Sequence, residues 1–86
     1  MRIVSIGLIN RTIVHPREVY ADAIVDRATA IIVCHNHPSG NLEPSDEDTA
    51  VTGQLKEAGE ILGIKLLDHV IFAVSGYYSF LEAGAL

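Results

Sequence analysis

The 86-residue sequence predicts an α/β fold, in which helices pack against a sheet. A short apolar run at 30–34 (AIIVC) is of the kind that is buried on both faces of a sheet. Two stretches on either side of that run, 16–29 and 45–63, carry apolar residues at helical spacing. Residues 2–9 and 66–74 have the alternating or apolar pattern that is typical of strands. A chain of this length is expected to form one domain.

The first half of the chain is predicted to run from a strand into a helix. The strand at 2–9 ends at the turn-like segment Asn10-Arg11-Thr12. Pro16 suits the first turn of the helix at 16–29, because its missing N–H would have no helical partner there. The apolar stripe of this helix consists of Val19, Tyr20, Ala23, Ile24 and Ala28.

The second helix, at 45–63, begins with a good N-cap residue, Ser45. Gly53 and Gly59 each cost the helix about 1 kcal/mol relative to Ala, so we expect them to mark places of close packing. The buried seam of the helix is predicted to consist of Val51, Leu55, Ala58 and Leu62.

The C-terminal part is predicted to contain the strand at 66–74, a turn at Ser75-Gly76 and a short final helix. Ser79 can cap that helix, which we expect to continue through Ala83. The aromatic residues of this region are expected to pack in the core or in a dimer interface, so a homo-oligomer stays open; they are Tyr77, Tyr78 and Phe80.

Composition and charge exclude several classes of function. The net charge is −5 and Lys and Arg do not cluster, so direct binding of nucleic acid is disfavoured. No run approaches the ~18–20 apolar residues of a membrane span, and residues 1–11 do not resemble a signal peptide. The single cysteine cannot form an internal disulfide, which suits the cytoplasm.

The stretch with the most chemical content is 34–48, CHNHPSGNLEPSDED. Since side chains two residues apart on a strand share a face, His35 and His37 can meet one ion. Ser45 as N-cap places Asp48 at the third helical residue, facing the start of the helix. Two imidazoles and one carboxylate match the three protein ligands and one water of catalytic zinc. The same Ser45 and Asp48 also form a capping box that requires no metal, and an isolated H-x-H is often a hydrogen-bonded pair.

The motif H-x-H-P followed by S-x-x-D resembles that of the JAMM (MPN+, JAB) metalloproteases, and a longer set of segments resembles the RadC family. The resemblance implies a JAB/cytidine-deaminase-like mixed sheet flanked by helices, and hydrolysis of a peptide or isopeptide bond in a protein substrate. It also implies Zn²⁺ held by His35, His37 and Asp48, with Ser45 stabilising the oxyanion of the tetrahedral intermediate. The matching segments are VHPREV at 14–19, HNHPSG at 35–40, PSDED at 44–48 and LLDHVI at 66–71.

The family's motif also includes an upstream glutamate that takes a proton from the attacking water and returns it to the leaving amine. Glu18, Glu43 and Glu47 do not fit that role, so we expect the glutamate to precede Met1. Residues 1–86 are accordingly interpreted as a single, N-terminally truncated RadC-like domain. The alternative is a non-catalytic zinc-binding or protein-interaction module of the same fold, whose link to DNA repair is only the family's historical association.

Two other zinc or nuclease classes fit less well. An HNH endonuclease spreads its motif over tens of residues and needs basic surfaces. A nucleobase deaminase needs H-x-E and P-C-x-x-C, which one cysteine cannot supply. Cys34 is expected to be a buried small hydrophobe. Asp68-His69 is read either as a source of hydrogen bonds to the ligands or as a structural pair.

Overall fold

A mixed sheet forms the centre of the computed structural model, which describes residues 2–6, 16–37 and 40–86. The sheet order in the described residues is β1-β2-β3-β4, with β2 parallel to both β1 and β3, and β4 antiparallel to β3. This arrangement confirms the predicted α/β class. The elements are β1 (Arg2–Ile6), α1 (Pro16–Val25), β2 (Ala30–Asn36), α2 (Asp46–Leu62), β3 (Lys65–Ala73) and β4 (Gly76–Ser79).

The side chains of β2 alternate between a fully buried and a half-buried face. Ile31 and Val33 are fully buried and pack with residues of both helices, whereas Ile32 and Cys34 are half-buried. The prediction of burial on both faces is therefore only half right. Because the period of a strand is two, the face that carries Ile31 and Val33 continues to His35 at the end of the strand. The core that positions this strand consists of Val19, Tyr20, Ala23, Ile31, Val33, Leu55, Ile64 and Leu66.

Helix α1 ends at Val25, four residues before the predicted end at 29. Arg27 adopts a left-handed φ of 56°, and the Ala28 N–H donates to the carbonyl of Ala23 at 2.9 Å. Those two features form a Schellman-type stop with arginine where glycine is usual. Ile24, predicted to lie in the buried stripe, is exposed. The predicted continuation of the first strand to 9, its turn at 10–12 and the environment of His15 lie outside the described residues.

Helix α2 starts after Ser45 as predicted and ends before Gly63, whose φ of 74° is left-handed. Its buried residues are Asp48, Thr52, Leu55 and Gly59, so the predicted seam is partly wrong, and Leu62 is exposed. The helix is rotated so that polar residues of its first turns face inward, toward the end of β2.

The two glycines of α2 differ in environment. A Cβ atom at Gly59 would collide with the carbonyl oxygen of Ile64 and lie 2.6 Å from the Tyr20 hydroxyl, which donates to the Leu55 carbonyl at 2.8 Å. A Cβ atom at Gly53 would meet nothing within 4 Å. Close packing is thus confirmed at Gly59 and wrong at Gly53.

The predicted final helix from the Ser79 cap through Ala83 is wrong, because residues 80–84 form turns. Gly76–Ser79 forms β4, a strand that was not predicted, which pairs with β3 through the turn at Val74-Ser75. Ser79 Oγ still accepts the Glu82 N–H at 3.1 Å, as a cap would. Only turns follow, and Gly84 has a left-handed φ of 75°. No helix among the described residues is long and apolar enough to cross a membrane.

Candidate metal centre

The carboxyl end of β2 and the first turn of α2 meet at one point, and the three predicted ligands lie there together. His35 Nε2 is 3.2 Å from Asp48 Oδ1, and His37 Nε2 is 3.2 Å from Asp48 Oδ2. Ligand atoms of the three residues lie within 4.8 Å of one another. The crevice at the carboxyl ends of parallel strands is where α/β sheets generally place their ligands.

Asp48 is held in place by the N-terminus of its own helix. The Ser45 N–H donates to Asp48 Oδ2 at 2.8 Å, and the Asp48 N–H donates to Ser45 Oγ at 3.1 Å. This reciprocal pair is the capping box that the sequence predicted. The Ser45 N–H fixes the carboxylate, so the capping box is confirmed, and this geometry is compatible with Asp48 as a metal ligand.

His37 is oriented by the loop that follows it. Its Nδ1 lies 2.7 Å from the backbone carbonyl oxygen of Asn41, and this oxygen can only accept a hydrogen bond. The Nδ1 of His37 therefore carries a hydrogen, and in the neutral ring Nε2 keeps its lone pair. That lone pair faces Asp48 Oδ2, as a metal ligand requires.

His35 contacts a second, more deeply buried histidine. His35 Nδ1 lies 3.1 Å from His69 Nε2, and His69 Nδ1 lies 2.6 Å from Thr52 Oγ1. The Thr52 hydroxyl is also 2.8 Å from the backbone carbonyl of Asp48. His69 is 1% exposed and stacks on Phe80 with a centroid distance of 4.8 Å.

The two sequence readings of His69 are thus both confirmed, since it is a core residue that also contacts a candidate ligand. Sequence reasoning missed Thr52. The available signal was its position four residues after Asp48, which puts both side chains on the same face of a helix.

The electrostatics of the cluster keep Asp48 ionised and the buried rings neutral. Burial pushes the pKa of Asp48 upward, but the hydrogen bonds from Ser45 and the nearby histidines outweigh it and leave the pKa below its usual value. Burial lowers the pKa of His35, partly opposed by Asp48. Burial, with His35 nearby, lowers the pKa of His69 to about 4, so this ring is neutral near pH 7.

Other acidic and thiol side chains stay outside this cluster. In the part of the chain that the structure describes, no glutamate joins the three residues. Glu43 and Glu47 are exposed. Cys34 is half-buried, not fully buried as predicted; burial, with Asp68 nearby, raises the pKa of its thiol.

The donor set suits a divalent cation. Two imidazole nitrogens and one carboxylate oxygen are a common ligand set of catalytic zinc. Two ligands that are each ~2.0–2.1 Å from a tetrahedral zinc lie about 3.3 Å apart. The observed separations of 3.2 Å between imidazole nitrogens and carboxylate oxygens are close to that value. His35, His37 and Asp48 are therefore positioned closely enough to bind one metal ion.

Comparison with protein-family models decides the family. Residues 1–85 match the model described as RadC-like JAB domain. The chain belongs to the RadC-like JAB family. The predicted family resemblance is confirmed, and with it the JAB-like α/β fold. Metallohydrolases are among the members of the JAB-like families.

Curated relatives of this RadC-like JAB domain carry names that do not state an activity. A UPF0758 protein of Methanospirillum hungatei is 60% identical over 85 residues, which is 99% of this chain and 38% of the relative. UPF0758 proteins of Trichlorobacter lovleyi and Thermotoga maritima are 57% and 51% identical, over 96% and 95% of this chain and 36% and 37% of the relatives. The chain thus spans a little over a third of the length of these relatives.

Proposed function

We propose that this RadC-like JAB domain binds one Zn²⁺ through His35, His37 and Asp48 and takes part in the hydrolysis of a peptide or isopeptide bond in a protein substrate. The observation that carries the proposal is the convergence of both Nε2 atoms on the Asp48 carboxylate, each at 3.2 Å. Bound zinc would supply an activated water and polarise the scissile carbonyl. We also propose a cytoplasmic location, from the single cysteine.

The residues of the chain have separate roles in this proposal. Asp48 is kept ionised and aimed by the Ser45 backbone N–H, so that it can bind the cation. His37 presents Nε2 because its Nδ1 hydrogen is taken by the Asn41 carbonyl. The Ser45 hydroxyl accepts the Asp48 N–H, and its own hydrogen, which bonds the Asp48 carboxylate in this structure, would be donated to the oxyanion that develops on the substrate.

The proposed general base is a glutamate that precedes Met1 in the native protein. It would take the proton of the attacking water and deliver it to the leaving amine. A second candidate function is a zinc-binding or interaction module without catalysis. The observation that favours it is that, within residues 2–6, 16–37 and 40–86, no glutamate lies in the metal cluster.

Metal content tests the site. Protein purified without chelator is expected to contain about one equivalent of zinc by mass spectrometry, and His37→Ala and Asp48→Ala should each lose it. Glu47→Ala is the matched control, because Glu47 is the exposed neighbour of Asp48 on the same helix turn. Zinc near zero in the parent, or unchanged zinc in both ligand variants, would contradict the site.

Activity tests the reaction. The 86-residue chain and a form extended upstream by its native coding sequence are compared on a fluorogenic peptide mixture and on a lysine isopeptide. We expect turnover only in the extended form, and its loss when a glutamate of the added segment is changed to glutamine. Equal turnover in both forms would point to Glu43 or Glu47 as the base. Zinc binding without turnover in either form would favour the non-catalytic module.

A further inference from the structure

We propose that Thr52 and His69 fix the proton of His35 on Nδ1 and so present the Nε2 lone pair of His35 to the metal position. The inference rests on the proposed metal site and deepens it by assigning positioning roles to two residues that bind no metal themselves. Its basis is a chain of three contacts that joins the backbone of Asp48 to the ring of His35.

The chain of contacts starts at the backbone carbonyl oxygen of Asp48, which can only accept a hydrogen bond. The backbone carbonyl oxygen of Asp48 lies 2.8 Å from Thr52 Oγ1, so the hydrogen between these two oxygens belongs to the Thr52 hydroxyl. A hydroxyl has one hydrogen, and with that hydrogen donated to Asp48 its oxygen acts toward His69 as an acceptor. The 2.6 Å contact between Thr52 Oγ1 and His69 Nδ1 is then a hydrogen bond donated by Nδ1.

The same reasoning passes through the His69 ring. A neutral imidazole has one N–H, which here is on Nδ1, so Nε2 of His69 is an acceptor. The 3.1 Å contact with His35 Nδ1 is then donated by His35. His35 in turn has its hydrogen on Nδ1, and its Nε2 lone pair points at Asp48 Oδ1, 3.2 Å away.

In the metal-free protein the opposite order of protons would let His35 Nε2 donate to Asp48 Oδ1, but a cation bound at that nitrogen excludes it. The opposite order is also less favourable for the threonine. It would have the Thr52 hydroxyl donate to His69, and it would leave the Thr52 and Asp48 oxygens 2.8 Å apart with no hydrogen between them. Burial adds to this preference, because Thr52 is 3% exposed and His69 is 1% exposed, so neither group can turn to water for a partner. The stacking of His69 on Phe80 fixes the plane of the His69 ring, which hydrogen-bonds both Thr52 and His35.

The decisive measurement is the tautomer of His69 in zinc-loaded protein, obtained from ¹⁵N-labelled histidine by long-range proton–nitrogen NMR. We expect a protonated Nδ1 and an unprotonated Nε2 on His69 in the parent and in Thr52→Ser, which keeps the hydroxyl. In Thr52→Val, which keeps the shape and removes the hydroxyl, we expect His69 to shift toward the Nε2–H tautomer, which cannot accept from His35. A parent with Nε2–H on His69, or a Thr52→Val spectrum identical to the parent, overturns the inference.

Zinc affinity, measured by competition with a chromogenic chelator, supplies the second test. Thr52→Val is expected to weaken zinc binding by roughly 10–100-fold, as loss of partners around a ligand generally does, while Thr52→Ser stays close to the parent. His69→Phe, which keeps an aromatic ring against Phe80, should weaken binding by a similar factor. Adding Thr52→Val to His69→Phe should then change nothing further, because Thr52 acts through His69.

Additive effects of the two substitutions would overturn this order of action. Circular dichroism identifies any variant that fails to fold, and the valine–serine pair separates loss of the hydroxyl from loss of packing. A parent that binds no zinc would contradict the proposed function, whereas a parent that binds zinc but has the Nε2–H tautomer of His69 would contradict the inference alone.

Discussion

Two aspartates of this domain lie in polar clusters only a short distance from the same histidine ring, yet their partners differ in kind. Asp68 accepts hydrogen bonds from the Ser79 hydroxyl at 2.5 Å, from the His69 backbone N–H at 2.7 Å and from the Leu81 backbone N–H at 3.0 Å. Asp48 accepts hydrogen bonds from the backbone N–H and the hydroxyl of Ser45, and its other close neighbours are imidazole nitrogens. The first carboxylate has hydrogen-bond donors around it, whereas the second also faces two ring nitrogens.

The difference separates a structural carboxylate from a ligand. Three donors satisfy Asp68 and tie β4 and the C-terminal turn to β3, so no cation is needed there. At Asp48 the Nε2 atom of neutral His37 carries a lone pair, because its hydrogen is on Nδ1. A carboxylate and lone pairs that converge on one point repel each other until a proton or a cation is placed between them. The number of hydrogen-bond donors around each carboxylate therefore distinguishes the proposed metal site at Asp48 from the structural cluster at Asp68.

The largest effect should come from replacing each aspartate by asparagine and measuring zinc affinity. Asp48→Asn removes a charged ligand, so we expect zinc binding to weaken by more than about 100-fold, beyond the range for groups that only support ligands. Asp68→Asn should change the zinc dissociation constant less than about tenfold, because it touches the His69 backbone and not its ring. Competition with a chromogenic chelator measures both.

The stability of the same two variants should follow the opposite order. In metal-free protein, chemical denaturation should show Asp68→Asn losing about 2 kcal/mol, since an amide nitrogen cannot accept the N–H groups that the carboxylate accepts. Asp48→Asn should lose less than about 1 kcal/mol, since its amide hydrogens can pair with an imidazole. If both variants lost zinc and stability to the same extent, the distinction between the two clusters would be wrong.

The next effect is a loss of stability at acidic pH. It depends on His69, which contacts both clusters. Its folded-state pKa of about 4 lies below the ordinary value of 6.5, so between these two values the unfolded chain binds a proton that the folded chain does not. The free energy of unfolding should therefore fall as pH falls through that window, by roughly 3 kcal/mol at most. The lowered pKa of His35 acts in the same direction.

Urea denaturation of metal-free protein at a series of pH values measures this dependence. His69→Phe should lose most of the slope between pH 6.5 and 4 because the ring that resists protonation is gone. Asp48, whose pKa is below 3.8, loses its stabilising charge only at lower pH, so it does not obscure the window. An unchanged slope in His69→Phe would show that other groups cause the acid sensitivity.

The clustering of the three candidate ligands could be predicted from the sequence because their spacing is local. His35 and His37 share a strand face, and Ser45 places Asp48 by a cap three residues long, so no tertiary contact had to be guessed. His69 reaches the site from β3, 34 residues after His35, and only the pairing of β2 with β3 brings it there. Its role was therefore open at the level of sequence.

The errors in the predicted fold also arise where the local sequence pattern does not determine the structure. Arg27 ends α1 in a left-handed conformation that usually signals glycine, so the sequence carried no stop signal. Ser79 accepts a backbone N–H as a helix cap would, but the residues after it form only turns. The segment before it, Gly76–Ser79, is a strand because it pairs with β3. The rotation of α2, which exposes Leu62 and buries Asp48 and Thr52, is set by the polar cluster and not by the apolar pattern.

The last comparison concerns two serines that each accept a backbone N–H three residues ahead at 3.1 Å. Ser79 is buried and also donates to Asp68, so Ser79→Ala should lower the free energy of unfolding by about 2 kcal/mol. Ser45 is exposed, and Ser45→Ala should cost about 1 kcal/mol, as a lost N-cap usually does. Denaturant titration of metal-free protein measures both.

Zinc affinity then separates the structural role of Ser45 from its proposed catalytic one. The backbone N–H that orients Asp48 remains in Ser45→Ala, so the zinc dissociation constant should stay close to that of the parent. In the upstream-extended form, a fall in kcat at unchanged zinc affinity would then report the missing hydroxyl at the oxyanion. If zinc is lost together with turnover, Ser45 acts only as a cap that holds a ligand, and the oxyanion role is wrong.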